Sequence, residues 1–194
     1  MVINTKTYLM QYVSENMKDS PVSELRLPDY DIDTDKVKGL IVHEDPTNTD
    51  DDYFTVPYFI NSGYCVDSVS DVLDLGIYMT SAIKNEKAGK NDETSAITTH
   101  MPLLWHEISL FKNLKAVILA GHMSIKTFNF LAKWKTGKSL IPGNTLSRMR
   151  QKEYAFKGIR IIPSYKMIMN FVPESERGGA VCSDLKTMRT IIEQ

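Results

Sequence analysis

Two adjacent carboxylates, Glu44 and Asp45, followed by Pro46, are the residues of this 194-residue chain best placed to do chemistry. They come directly after Leu40, Ile41 and Val42, a short apolar run of the kind that forms a strand buried on both faces. Pro46 cannot continue a central strand, so the acids mark its carboxyl end. In open α/β sheets that edge is where ligands bind. A carboxylate there can stabilise a developing cation and position an attacking water. The same three residues also suit a solvated strand-to-loop turn, and the motif alone does not separate the two.

The elements that must position these acids can be read from periodicity. Residues 77–83 form a second strand running into Lys84, residues 115–120 a third ending at Gly121, and residues 158–162 a fourth halted by Pro163. Helices fall between them. Asp67 and Ser68 cap one that reaches Leu75, Pro102 opens another carrying Leu104, Ile108 and Phe111, and Ile125, Phe128 and Ala132 mark a third. Leu185, Met188, Ile191 and Ile192 mark the last helix, and residues 146–157 read as a hairpin around Gln151 and Lys152. Strands alternating with helices predict a three-layer α/β/α sandwich around a central, mostly parallel four-stranded sheet. The chain is expected to be a single domain, residues 1–194, with an N-terminal helix over 5–18 and an acidic loop over 21–38 packed on it. The alternating Asp29, Asp31, Asp33 and Asp35 lack the Gly and Glu of a calcium loop. In this architecture four polar strand ends converge on one edge: Glu44 to Pro46, Ser81 to Lys84, Gly121 with His122, and Pro163 to Tyr165.

Composition narrows the class. Hydrophobic residues at 42% and charged residues at 24% are those of a soluble globular protein, with no apolar run near the roughly 18 residues of a membrane span. Cys65 and Cys182 form no C-x-x-C, so no metal site or disulfide framework is expected, and a cytoplasmic location is. The net charge of −1 hides an asymmetry: residues 1–111 hold 8 Lys/Arg against 19 Asp/Glu, whereas residues 112–170 hold 12 against one, Glu153. Such a split suits nucleic-acid contact, and equally two halves that attract each other.

Taken in order, these motifs resemble the uracil-DNA glycosylase superfamily, especially its compact bacterial members. The resemblance rests on Glu44, Asp45 and Pro46 after the first core strand, on the aromatic cluster Tyr53, Phe54, Tyr58 and Phe59, which matches the family's aromatic loop, and on Thr80, Ser81, Ala82, Ile83 and Lys84. Gly121 and the run Pro163, Ser164 and Tyr165 complete it, over residues 39 to 166. It implies a hydrolase that flips uracil or a related damaged base out of DNA and cleaves the N-glycosidic bond with water. Asp45, with Glu44 beside it, would be the catalytic carboxylate; Pro46, Tyr53, Phe54, Phe59 and Ser81 would bind the base. Pro163, Ser164, Tyr165 and Met167 would form the turn after the last strand, with Tyr165 or Met167 as a wedge between base steps. Lys133, Lys135, Lys138, Arg148, Arg150 and Lys152 would contact phosphates of DNA, single-stranded DNA included, and the protein is expected to be a monomer.

The sequence also departs from the family. Ser81 stands where the family places an Asn, and Ile162 where active branches place a His that serves the leaving base. His43 and His122, at the ends of the first and third strands, lie near the expected site, and either could replace that donor. Two cysteines cannot hold the four-cysteine iron–sulfur cluster of one branch, so no cofactor is expected. A non-catalytic nucleic-acid-binding relative, or a binder of a free nucleobase or nucleotide, is the alternative.

Overall fold

The computed structural model describes residues 1–17, 25–46, 52–85, 93–167 and 175–194, with backbone alone for 52–54. The elements run β1 (Val2–Asn4), α1 (Thr5–Asn16), β2 (Asp31–Asp33), β3 (Gly39–His43), α2 (Asp52–Asn61), α3 (Val69–Asp74) and β4 (Ile77–Ser81). They continue with α4 (Glu93–Ile108), β5 (Ala116–Ala120), α5 (His122–Thr136), α6 (Leu146–Arg150), β6 (Tyr154–Phe156), β7 (Ile159–Ser164) and α7 (Glu176–Ile192). The main sheet has the order β4-β3-β5-β7-β6, with β3, β4, β5 and β7 parallel and β6 antiparallel at one edge.

Alternation along β3 explains the unbroken apolar run. Leu40 and Val42 face a core built with Leu104, Ile108, Phe128 and Leu131 of α4 and α5. Ile41 faces the opposite core, built with Phe59, Val72, Val181, Leu185 and Met188 of α2, α3 and α7. Both faces are covered, so the fold is an α/β/α sandwich. α1 adds an outer layer by packing Leu9 and Val13 on Leu103 of α4. The acidic segment before β3 is partly structured: β2 pairs with β1, and Asn4 Nδ2 donates to Asp29 and Asp31 at 3.1 and 3.0 Å.

Four local expectations change. The aromatic cluster at 53–59 lies on a helix, α2, which accommodates Pro57, rather than on a loop. α4 begins at Glu93, nine residues before Pro102, which sits inside it. The hairpin turn is at Lys157 and Gly158, joining β6 to β7, while residues 146–150 are helical. Pro163 does not halt the last strand, because Leu119 is its register partner and β7 runs on to Ser164. Arg160 donates its amide to Lys115 of the neighbouring segment, so by alternation residue 163 faces away from β5. There β6 has already ended opposite Ile161, and the missing donor of Pro163 breaks no bond of the ladder.

Candidate functional site

Because β3, β4, β5 and β7 are parallel, their carboxyl ends share one edge. The neighbours β3 and β5 lead into helices on opposite faces, α2 on one and α5 on the other. Such a switch point opens a crevice between two strand ends, the place where doubly wound folds bind ligands. Glu44 and Asp45 leave β3 at that crevice, and Gly121 leaves β5 across from them.

Glu44 is fixed by the start of α5. Its Oε1 accepts the amide of Met123 at 2.9 Å, supplying the cap that Gly121 cannot, and its charge lies at the positive end of the helix. A Cβ on residue 121 would stand 2.6 Å from Glu44 Cδ, and φ there is +108°, so glycine is required on both counts. Lys166, from the segment after β7, places Nζ 3.1 Å from Asp45 Oδ2 and 3.6 Å from Glu44 Oε2. The three side chains are each between 24% and 31% exposed, so a charged cluster of both signs opens to solvent at the crevice.

Beside it, His43 and Ser81 are register partners on β3 and β4 and lie on the same face of the sheet. Both are buried, and neither His43 ring nitrogen nor Ser81 Oγ has a hydrogen-bond partner among the described residues. Thr55 Oγ1, one turn before Phe59 on α2, is buried and unpartnered as well. A buried donor or acceptor left unpaired costs about 1–3 kcal/mol, so these polar atoms near the ligand-binding edge of the sheet suit a place where water or a ligand supplies the missing partner. Burial and the nearby Lys166 cation lower the pKa of His43 to about 4 against a partial pull from Asp45. The ring is neutral near pH 7 and offers one donor and one acceptor.

No family model matches this chain, and no curated protein matches it.

The remaining sequence-predicted residues divide. Pro46 directly follows the acids, and the side chains of Tyr53 and Phe54 lie outside the described residues. Phe59, expected to lie on a flipped base, is instead fully buried and packed edge-on against Tyr64 at 5.1 Å, because α2 turns it into the core. Met167 is not a wedge either; it is fully buried among the α2 and α7 contacts. Ser164 Oγ donates to Asp184 Oδ2 at 2.7 Å, and Tyr165 lies between the guanidinium groups of Arg150 and Arg177, 5.5 and 5.6 Å from its ring centre.

Arg150 is a structural residue rather than a phosphate contact. Its Nε and Nη2 hold the two oxygens of Asp184 at 2.9 and 2.8 Å, and Nη2 also reaches Ala180 O at 2.9 Å. It thereby clamps α6 to α7 and fixes the acceptor of Ser164. The exposed Arg148 and Lys152 flank it. Lys133, Lys135 and Lys138 lie elsewhere. α5 leaves the carboxyl end of β5 and runs 15 residues, about 22 Å, so its last turn is at the opposite edge of the sheet. Lys166 and Asp184 are the site residues that sequence reasoning missed. The position of Lys166 two residues past Ser164 was the one available signal.

The buried histidines set a pH dependence. His43 and His100 both have a folded-state pKa of about 4 against an ordinary 6.5, lowered first by burial and then by the cations Lys166 and Lys84 respectively. The unfolded chain therefore binds more protons between those values, and stability is complete above about pH 6.5 and falls towards pH 4. Each histidine accounts for up to about 3 kcal/mol of that loss. Urea midpoints measured at pH 7, 5.5 and 4.5 are expected to fall in that order, with a shallower fall in His43→Gln and in His100→Gln.

Proposed function

We propose that the chain is a DNA glycosylase-like hydrolase of the uracil-DNA glycosylase type, removing uracil or a related damaged base. The observation that carries this reading is the pairing of the Glu44, Asp45 and Lys166 cluster with the buried, unpartnered His43 and Ser81 at one sheet edge. In this reading the flipped base enters beside His43 and Ser81, whose free polar atoms read its edge. The bond from C1′ to the base nitrogen breaks, and its electron pair leaves with the base. The neutral His43 ring donates a hydrogen bond towards that anion, a task Ile162 cannot perform. Asp45 stabilises the cation-like sugar and holds the water that attacks C1′, taking up its proton. Glu44 keeps the start of α5 in register with this edge. The protein acts in the cytoplasm, as a monomer, on DNA, without metal or cofactor.

The Lys166 contact favours a second reading. A carboxylate neutralised by an ammonium at 3.1 Å is a poorer partner for a sugar cation, which suits a relative that binds nucleic acid without cleaving it.

The deciding experiment incubates the wild type, in the presence of a chelator, with oligonucleotides carrying uracil, hypoxanthine or a mismatch, and scores alkali-labile abasic sites alongside binding. Cleavage of at least one substrate is expected. Binding without cleavage of any of them overturns the hydrolase reading in favour of the second, and neither overturns both.

A further inference from the structure

The lysines displaced from the site by the geometry assemble around two tryptophans at the opposite edge of the sheet. Lys135 Nζ lies 3.6 Å from the ring centre of Trp134 and 4.9 Å from that of Trp105. Lys157 Nζ lies 4.8 Å from the same Trp105 ring, and Phe156 packs edge-on beneath it at 6.3 Å. The result is a ladder of indole, ammonium, indole, ammonium, built from the last turns of α4 and α5 and the β6–β7 turn. Trp134 is 52% exposed, and Lys133 and Lys138 are exposed beside it.

Two features mark this surface as more than incidental. Lys157 has φ +52°, the one left-handed non-glycine among the described residues, in a two-residue turn where Asn or Gly fits more easily. A cation is thus kept at a conformationally costly position, with its ammonium over Trp105. The segment supplying the lysines, residues 112–170, has one acid, and that acid, Glu153, is paired with Arg160 at 2.8 Å. The ladder therefore faces solvent as cations and a flat indole with no carboxylate of its own segment to neutralise them.

We propose that this edge is a second binding surface, separate from the crevice at Glu44 and Asp45, that takes single-stranded nucleic acid. An acidic peptide would meet the charge but has no π-face for Trp134. A single strand supplies both, because bases stack on exposed aromatic side chains while phosphates track the cations, whatever the base sequence. Duplex DNA offers the charge but keeps its bases stacked. Along α5, Trp134 is 12 residues from His122, about 18 Å, so a strand seated here is not the one whose base occupies the crevice unless it extends several nucleotides further. The proposal does not depend on the hydrolase reading.

The test is anisotropy of labelled dT20 with the full chain at about 50 mM salt. Trp134→Ala is expected to weaken dT20 binding roughly tenfold or more, and Trp134→Phe much less. Lys157→Gln is expected to lower the salt slope by about 0.7, the share of one phosphate of a single strand. Binding of a 20-base-pair duplex, and any base release from a short strand, should be unchanged in Trp134→Ala. The proposal is overturned if dT20 does not bind, if Trp134→Ala binds it like the wild type, or if poly-glutamate displaces it as effectively as unlabelled dT20 does.

Discussion

Replacing Lys84 by Met is expected to destabilise the protein by about 3–5 kcal/mol, a large share of the stability of a domain this size. Lys84 and Glu107 are both fully buried, with Nζ 2.6 Å from Oε2. Glu107 Oε1 accepts the hydroxyls of Tyr78 at 2.6 Å and Thr80 at 2.8 Å, and Lys84 also donates to Thr80. Burial pulls the pKa of Lys84 down against the raising effect of Glu107. Removing the lysine leaves a carboxylate in the core with only neutral donors, and that uncompensated charge is the source of the loss. The double variant Lys84→Met with Glu107→Gln should recover most of it, since the amide oxygen still accepts from Tyr78 and Thr80 while no charge remains buried. Urea midpoints of the three proteins decide the matter. Equal stability of Lys84→Met and wild type would show that the pair is not closed to water.

The same network positions the site. Thr80 and Ser81 are consecutive on β4 and face opposite sides, so anchoring Thr80 to Glu107 on the α4 side commits Ser81 to the α2 side, next to His43. Ala82 and Ile83 then donate their amides to the carbonyls of His43 and Glu44, at 2.7 and 3.1 Å. A buried ion pair behind the sheet thus holds the turn that carries half of the candidate pocket in front of it.

How much of this was legible in the sequence follows from what each signal depends on. The strands β3, β4, β5 and β7 were legible because a strand covered on both faces must be apolar throughout, and Leu40, Ile41 and Val42 show that directly. Their common polar edge followed from the parallel order. α2 was not legible, since Pro57 inside a helix and acids just before it imitate a loop. The turn at Lys157 and Gly158 was missed because a lysine occupies a position where Asn or Gly would have announced it. At the site, Glu44 and Asp45 stood out by type and position, but their partner Lys166 comes from 121 residues beyond Asp45 and depends on where β7 ends. The basic residues failed for the same reason: a charge run along the chain carries no record of which edge each residue reaches. Arg150, next to phosphate-binding candidates in sequence, is committed to Asp184 in space.

Asp45→Asn is expected to keep nucleic-acid binding and reduce base release by a hundredfold or more. Asn has nearly the same shape, so packing survives. The ion pair it loses to Lys166 is about a third exposed, and such pairs stabilise by only about 0–1 kcal/mol. The effect on rate is larger, because a full charge facing a developing cation in a partly closed crevice is worth several kcal/mol, and each 1.36 kcal/mol is about tenfold. Glu44→Gln is the control. Glu44 faces the start of α5, and a glutamine oxygen can still accept the Met123 amide, so a loss of no more than roughly tenfold is expected. Lys166→Met separates the two readings of the contact at 3.1 Å. If the lysine restrains Asp45, its removal raises the rate, and if it helps hold the substrate, binding weakens instead. Should Glu44→Gln abolish release while Asp45→Asn leaves it intact, the catalytic carboxylate is Glu44. If a wild type that releases base is indifferent to both changes, the end of β3 is not the active site.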